Sequence, residues 1–260
     1  TNNPDKFSPK ATIIHMDIDA ASINKIIEAD IALLGDGGWV LEQLSMRLTQ
    51  AMKSQHKSAR KEREEGIKNW WQQVDDWRAA NGLNHDMQPQ ADRPILPQLA
   101  IQSLYKVTGG DAFVCSDVGQ HQMFAAQYYH FDEPRRWINS GGLGTMGFGL
   151  PSAMGVQMGN PAATVTCVTG EGSFMMNMQE LSTCLQYGLP IKIINLNNQA
   201  LGMVKQWQDM QYGGRHSQST YSDSLPDFKT LMEAFGHVGI KVSDAMNLDA
   251  AMEEAFSEEN

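Results

Sequence analysis

The sequence predicts an α/β protein whose core is a doubly wound parallel sheet, and three features carry that expectation. Two β-branched, apolar runs, 163–169 and 191–196, have the length and composition of strands buried on both faces. The segment 174–187 between them reads as a helix, stopped by Gly188 and Pro190. Each run gives way to a short polar turn, Gly170-Glu171-Gly172-Ser173 after the first and Asn197-Asn198 after the second. A right-handed crossover would put Glu171 and Asn198 at one edge of the sheet, where α/β proteins bind ligands. A carboxylate and a carboxamide oxygen there, beside the amides of a helix N-terminus, suit a hard cation bridging a diphosphate.

Taken in order, 11–19 reads as a strand, 20–28 as a short helix, 31–34 as a second strand closing on Gly35-Asp36-Gly37-Gly38, and 39–52 as a helix. This βαβα block, residues 1–50, is expected to be the tail of a second, Rossmann-like α/β domain. Residues 51–92 read as a connector. A charged helical stretch over 53–80 carries Trp70, Val74 and Trp77 on one stripe, expected to dock on the helix's own domain. Residues 93–260 form the third block. It holds a helix over 95–107, a strand over 112–115 running into Ser116-Asp117-Val118-Gly119-Gln120-His121, and a glycine-rich stretch over 140–158. After the central unit come a polar loop over 216–225, a helix over 227–235, a strand over 238–242 and a helix over 248–256. No internal repeat is visible.

With 260 residues, 42% apolar and 19% charged, the chain can bury a substantial core. Its net charge of −10 argues against a nucleic-acid partner, since the one basic cluster, 53–63, is followed at once by Glu64 and Glu65. Cys115, Cys167 and Cys184 make no disulfide framework and point to a reducing, cytoplasmic compartment. No apolar run is long enough to cross a membrane, and no secretory leader is expected. The chain opens on Thr1 and soon enters a strand, so it is expected to be the C-terminal part of a longer protein.

Three motifs leave alternatives open. Gly142-Leu143-Gly144-Thr145-Met146-Gly147 matches a dinucleotide fingerprint letter by letter, but 136–140 makes a poor strand before it, which favours packing around a different cofactor. His121 suits either a satisfied structural histidine or a phosphate-facing loop. Trp207 suits either a packing anchor or a pocket wall.

At these residues the sequence resembles the thiamine-diphosphate enzymes and, within them, the acetolactate synthase (acetohydroxyacid synthase) large-subunit family of the bacterial biosynthetic type. The family's Gly-Asp-Gly, helix, Asn-Asn signature stands here as Gly170-Glu171-Gly172 through Asn197-Asn198. The likeness extends over 117–123, 137–148, 201–208, Tyr212, 215–217 and 226–228, and 13–36 resembles the end of the family's FAD-binding domain. The resemblance implies a thiamine-diphosphate pyrophosphate-binding domain over 93–260. Within it Val118, Gly119, Gln120 and His121, with Gly172 and Ser173, would hold the diphosphate, and Gly144 and Met146 the aminopyrimidine. Mg2+ would take Glu171, Asn198 and the main chain of Ala200, and Asp17 and Asp36 would mark the adenosine end of a structural FAD. Met203, Trp207 and Met146 would line the reacting centre.

The activity implied is decarboxylation of pyruvate and carboligation to pyruvate or 2-oxobutyrate, giving 2-acetolactate or 2-aceto-2-hydroxybutyrate. A homodimer or larger assembly with a shared active site and a small regulatory subunit would be the partners. Two departures stand out. The family's catalytic glutamate belongs to a domain N-terminal to these motifs, so the 260-residue chain alone is expected not to turn over, and the metal acid is Glu171 where the family has Asp. Another thiamine-diphosphate decarboxylase or carboligase, and a non-catalytic diphosphate-binding module, remain alternatives.

Overall fold

Parallel pairing, which needs a crossover connection, occurs in both halves of the chain. The structure is a computed structural model describing residues 3–83, 87–221 and 224–257. It divides into two units, Thr1–Gly82 and Leu83–Asn260.

In the first unit β1 (Ile14–Asp17) runs parallel to β2 (Ile31–Leu34). The helix α1 (Gly37–Ser54) follows, its first turn capped by Asp36, whose Oδ1 accepts from the Trp39 amide at 3.0 Å. The helix α2 (Lys57–Asn81) comes next. The helix expected over 20–28 is absent. Asp19 accepts from the Ala21 amide at 2.9 Å and Asn24, at φ +61°, from the Ala29 amide at 2.8 Å. Such side-chain bonds offer the backbone turns instead of a helix ladder. The charged stretch over 53–80 is two helices, because His56 leaves the helix to cap α2. The tryptophan stripe is not buried either. No residue of α2 is buried, and Trp70 and Trp77 remain about half exposed while their rings meet edge to face at 5.7 Å.

The second unit opens with α3 (Pro97–Thr108), β3 (Phe113–Ser116) and α4 (Gln120–Tyr128), then β4 (Trp137–Asn139) and α5 (Gly149–Gly159). Next come β5 (Val165–Thr169), the single turn α6 (Glu171–Phe174), α7 (Leu181–Tyr187) and β6 (Lys192–Asn195). The helices α8 (Gly202–Tyr212), α9 (Phe228–Ala234) and α10 (Leu248–Ser257) complete it.

The sheet order is β4-β3-β5-β6, all parallel. Side chains alternate across it as the pleat demands. Val114 and Val168 pack with Ile101 and Leu104 of α3, Ala125 of α4 and Met252 of α10. Cys115, Val165 and Cys167 pack on the opposite face with Leu150 and Ala153 of α5 and Leu181 of α7. Helices cover both faces, as the doubly wound expectation requires. All three cysteines are free and buried, and burial pushes the Cys115 thiol up to about 12, Cys184 up to about 11 and Cys167 well above the usual thiol range. Among the described residues no helix is long and apolar enough to cross a membrane.

Three expectations for this unit are corrected. Residues 137–139 are an edge strand on β3, with Trp137 packing on one core and Ile138 on the other. The single helix over 174–187 is interrupted, because Asn177 (φ −135°) turns its side chain to the Gly147 carbonyl. The strand expected over 238–242 does not form, and these residues join no sheet. Gly239 presses on α9, where a Cβ would come within 2.6 Å of the Lys229 carbonyl oxygen, and Lys241 reaches Asp227 at 3.0 Å.

Leu104, with no exposed surface, is wedged between α3 and the sheet. Leu104→Ala is expected to cost about 2–5 kcal/mol in urea unfolding, whereas Met158→Ala, at a position 61% exposed, should shift stability by less than about 0.5 kcal/mol.

Candidate functional site

Strands β3, β5 and β6 end at one edge, and the turns beyond them carry the polar residues. Glu171 opens α6 directly after β5 and is 1% exposed. Its Oε1 accepts from the Ala200 amide at 2.7 Å and its Oε2 from the Asn198 amide at 3.3 Å. The same Ala200 amide reaches Asn198 Oδ1 at 3.1 Å, so oxygens from two separate turns converge on one point. Burial raises the Glu171 carboxyl above its usual range, and the amide bonds oppose the rise.

The carboxamide of Asn198 is itself aimed. Its Nδ2 donates to Gln120 Oε1 at 3.2 Å, and Gln120 Nε2 donates to Gln206 Oε1 on α8 at 3.1 Å. Gly202 must be glycine for these amides to meet, since a Cβ there would overlap Gln120 Oε1 and lie 2.5 Å from Asn198 Nδ2. Residues 199–201 are pinned to 219–221 by an antiparallel bridge, which brings the Tyr221 hydroxyl down onto Gly172.

Beside this cluster His121 is 8% exposed, and its Nε2 has no hydrogen-bond partner among the described residues. Burial pushes its pKa from 6.5 down to about 4, against the pull of Asp117, so the ring is neutral at neutral pH. Ser173 is buried too, donating its hydroxyl to the Val118 carbonyl at 3.1 Å.

A cavity of about 1000 Å³ opens over this edge. Its walls include Val118, Gly119, Gln120 and His121 from the turn after β3, Gly144 and Met146 from the glycine-rich segment, and Glu171, Gly172 and Ser173 after β5. Asn198 and Ala200 after β6, and Met203 and Trp207 on α8, complete the same wall. Asp17 and Asp36 lie in the other unit. Asp17 ends β1 and accepts from the Asp19 amide at 2.8 Å, and Asp36 follows β2 as the cap of α1. Gly142, Gly144 and Gly147 form turns, with no helix starting before Gly149. Sequence reasoning missed Gln206 and Tyr221 as neighbours of the cluster. Gln206 sits beside Trp207 within the 201–208 stretch that carries the family likeness, but nothing in the local pattern signals Tyr221.

The family model for "Thiamine pyrophosphate enzyme, C-terminal TPP binding domain" matches residues 117–260, more than half of the chain and all of this edge of the sheet. The chain belongs to the thiamine pyrophosphate enzyme family. Similarity to named members extends beyond that domain. The chain is 56% identical over 258 residues to the acetolactate synthase isozyme 3 large subunit of Escherichia coli (strain K12) and 51% identical over 261 residues to the acetolactate synthase large subunit of Haemophilus influenzae, covering 99% and 100% of this chain. It is 41% identical over 98% of its length to the large subunit from Corynebacterium glutamicum. The resemblance expected from the motifs is borne out. The chain spans 43%, 43% and 40% of the lengths of these three relatives.

For a thiamine pyrophosphate enzyme the residues present fit the cofactor's diphosphate end. The cavity is lined by His121, whose buried Nε2 has no hydrogen-bond partner among the described residues, together with Glu171 and Asn198, whose side chains carry oxygen donors of the kind hard divalent cations take. Among the described residues no group of three His, Cys, Asp or Glu side chains could hold a metal, so any cation here needs the carboxamide and main chain as well.

Because His121 is held neutral, the unfolded chain takes up a proton between pH 6.5 and about 4 that the folded chain refuses. Its contribution is complete above pH 6.5 and is lost as pH falls toward 4, on the order of 3 kcal/mol at most. Urea unfolding at pH 7 and 4.5 should show a smaller acid loss for His121→Gln than for the parent chain.

Proposed function

We propose that this chain is the cofactor-binding part of an acetolactate synthase large subunit. Such an enzyme decarboxylates pyruvate and joins the two-carbon unit to pyruvate or 2-oxobutyrate, in branched-chain amino-acid biosynthesis. The observation that carries the reading is the convergence of Glu171 and Asn198 on the Ala200 amide beside a buried, neutral His121. The names of the relatives support it over the whole chain.

In this reading the side chains of Glu171 and Asn198 and the Ala200 main chain hold Mg2+. The turn from Val118 to His121, with Gly172 and Ser173, holds the diphosphate, and His121 Nε2 accepts or donates one hydrogen bond there. Gly144 and Met146 support the aminopyrimidine. Thiamine diphosphate, when bound, supplies an electron sink for loss of CO2 from a 2-oxo acid. Met203 and Trp207, four residues apart on α8 and so on one helix face, line the acceptor pocket and exclude water. Asp17 and Asp36 belong to the adenosine end of a structural FAD, supported by their places at the C-terminal ends of two parallel strands. A homodimer or larger assembly, a small regulatory subunit and a cytoplasmic location complete the proposal, the relatives' "large subunit" names supporting the subunit arrangement.

The test is calorimetric titration of the chain with thiamine diphosphate in Mg2+, followed by product analysis with pyruvate and 2-oxobutyrate after joining the N-terminal portion that its relatives carry. Binding with both carboligation products supports the proposal. Binding without turnover would make this a diphosphate-binding module, and decarboxylation alone a different enzyme of the family.

Glu171 is one methylene longer than Asp, about 1.5 Å of reach, and Mg2+ tolerates little departure from octahedral geometry. Glu171→Asp is expected to tighten Mg2+ binding about tenfold, or ~1.4 kcal/mol. Burial also raises the Glu171 carboxyl, so Mg2+ affinity should fall with pH from above the usual carboxylate range as the proton competes. Equal Mg2+ titrations of the two forms would refute the length argument.

A further inference from the structure

Asp117, at the end of β3, is 1% exposed, and four groups from three stretches of chain surround its carboxylate. Oδ1 accepts from the Val118 amide at 2.9 Å and from the Gly147 amide at 2.8 Å. Oδ2 accepts from the Gly149 amide at 3.2 Å, with Thr169 Oγ1 at 3.4 Å. A carboxylate is retained at such depth only when donors satisfy it.

These bonds do more than satisfy a charge. Val118 begins the turn that runs to His121, whereas Gly147 and Gly149 close the segment containing Gly144 and Met146. One oxygen therefore ties together the two walls of the cavity. Gly147 is also held through its carbonyl, which accepts from Asn177 Nδ2 at 2.5 Å. At φ +82° this residue is glycine by necessity, and a Cβ would lie 2.8 Å from Asn177 Nδ2 and 3.1 Å from Met176 Cβ.

We propose that Asp117 is a positioning residue that sets the spacing between the diphosphate-facing turn and the pyrimidine-facing segment, so that both ends of one cofactor molecule are held at once. The inference rests on the thiamine diphosphate reading of this cavity. A purely structural Asp117, capping α5 through Gly149, would instead affect every ligand and the fold alike.

The test compares two probes in Mg2+, thiamine diphosphate and inorganic diphosphate, by calorimetry on the chain and its variants. Asp117→Asn keeps the shape but replaces one acceptor by an N–H donor. It should weaken thiamine diphosphate by about tenfold or more, the usual cost of losing an outer-shell support, while inorganic diphosphate, which touches one wall, changes by less than about threefold. Amide exchange over 144–149 should quicken. Asn177→Ala, which loosens the same glycine from a half-buried position, should give the same selective loss at smaller size. Equal losses for the two probes, or unchanged thiamine diphosphate affinity in a folded Asp117→Asn chain, overturn the proposal. If Asp117→Asn does not fold, Asn177→Ala decides alone, and absence of a selective loss there overturns it. A parent chain that binds neither probe would defeat the cofactor reading itself, a different failure from binding without selectivity.

Discussion

The Ala200 amide points into a space shared by Glu171 Oε1 and Asn198 Oδ1, and that three-centre bond makes one site out of two turns. It can form only because β5 and β6 run in the same direction with Thr169 opposite Asn195, which delivers both turns to the same edge. An antiparallel pairing would leave the acid and the amide at opposite ends of their strands. The Gln206–Gln120–Asn198 chain then decides which way the carboxamide faces, and the bridge between Ala200 and Thr220 holds the loop down on it.

Electrostatically the turns after β3 and β5 bring acidic and neutral groups to the cavity, while Lys192, Lys229 and Lys241 line it elsewhere. Glu171 is buried there, and the imidazole of His121, which lines the same cavity, is kept uncharged by its own burial. The opposing influences on Glu171 follow from the same geometry. Burial favours its proton, while the amides of Ala200 and Asn198 favour the charge that a metal would use.

Much of this was legible in the sequence because the informative segments are local. The β-branched runs before Glu171 and Asn198 made strands, neighbouring positions such as Cys167 and Val168 sorted into two cores, and Gly188 ended α7 in the left-handed conformation. What escaped depended on distant partners. Residues 137–139 look poor as a strand until β3 supplies the ladder, and 238–242 look good as one until Gly239 is drawn onto α9. Asn177 breaks a helix for the sake of a carbonyl thirty residues away in sequence. The importance of Asp117 is invisible locally for the same reason, since its partners lie at 147, 149 and 169.

The three cysteines lead to a practical consequence. Cys115 and Cys167 stand side by side in the ladder between β3 and β5, and Cys184 lines the same core from α7. With thiol pKa values pushed so high, almost none of the sulfur is in the reactive anionic form at neutral pH, and nothing reaches it from outside. Alkylating dyes therefore meet these sulfurs only when the helices lift off the sheet, and the speed of labelling becomes a clock for how often the centre of the molecule opens.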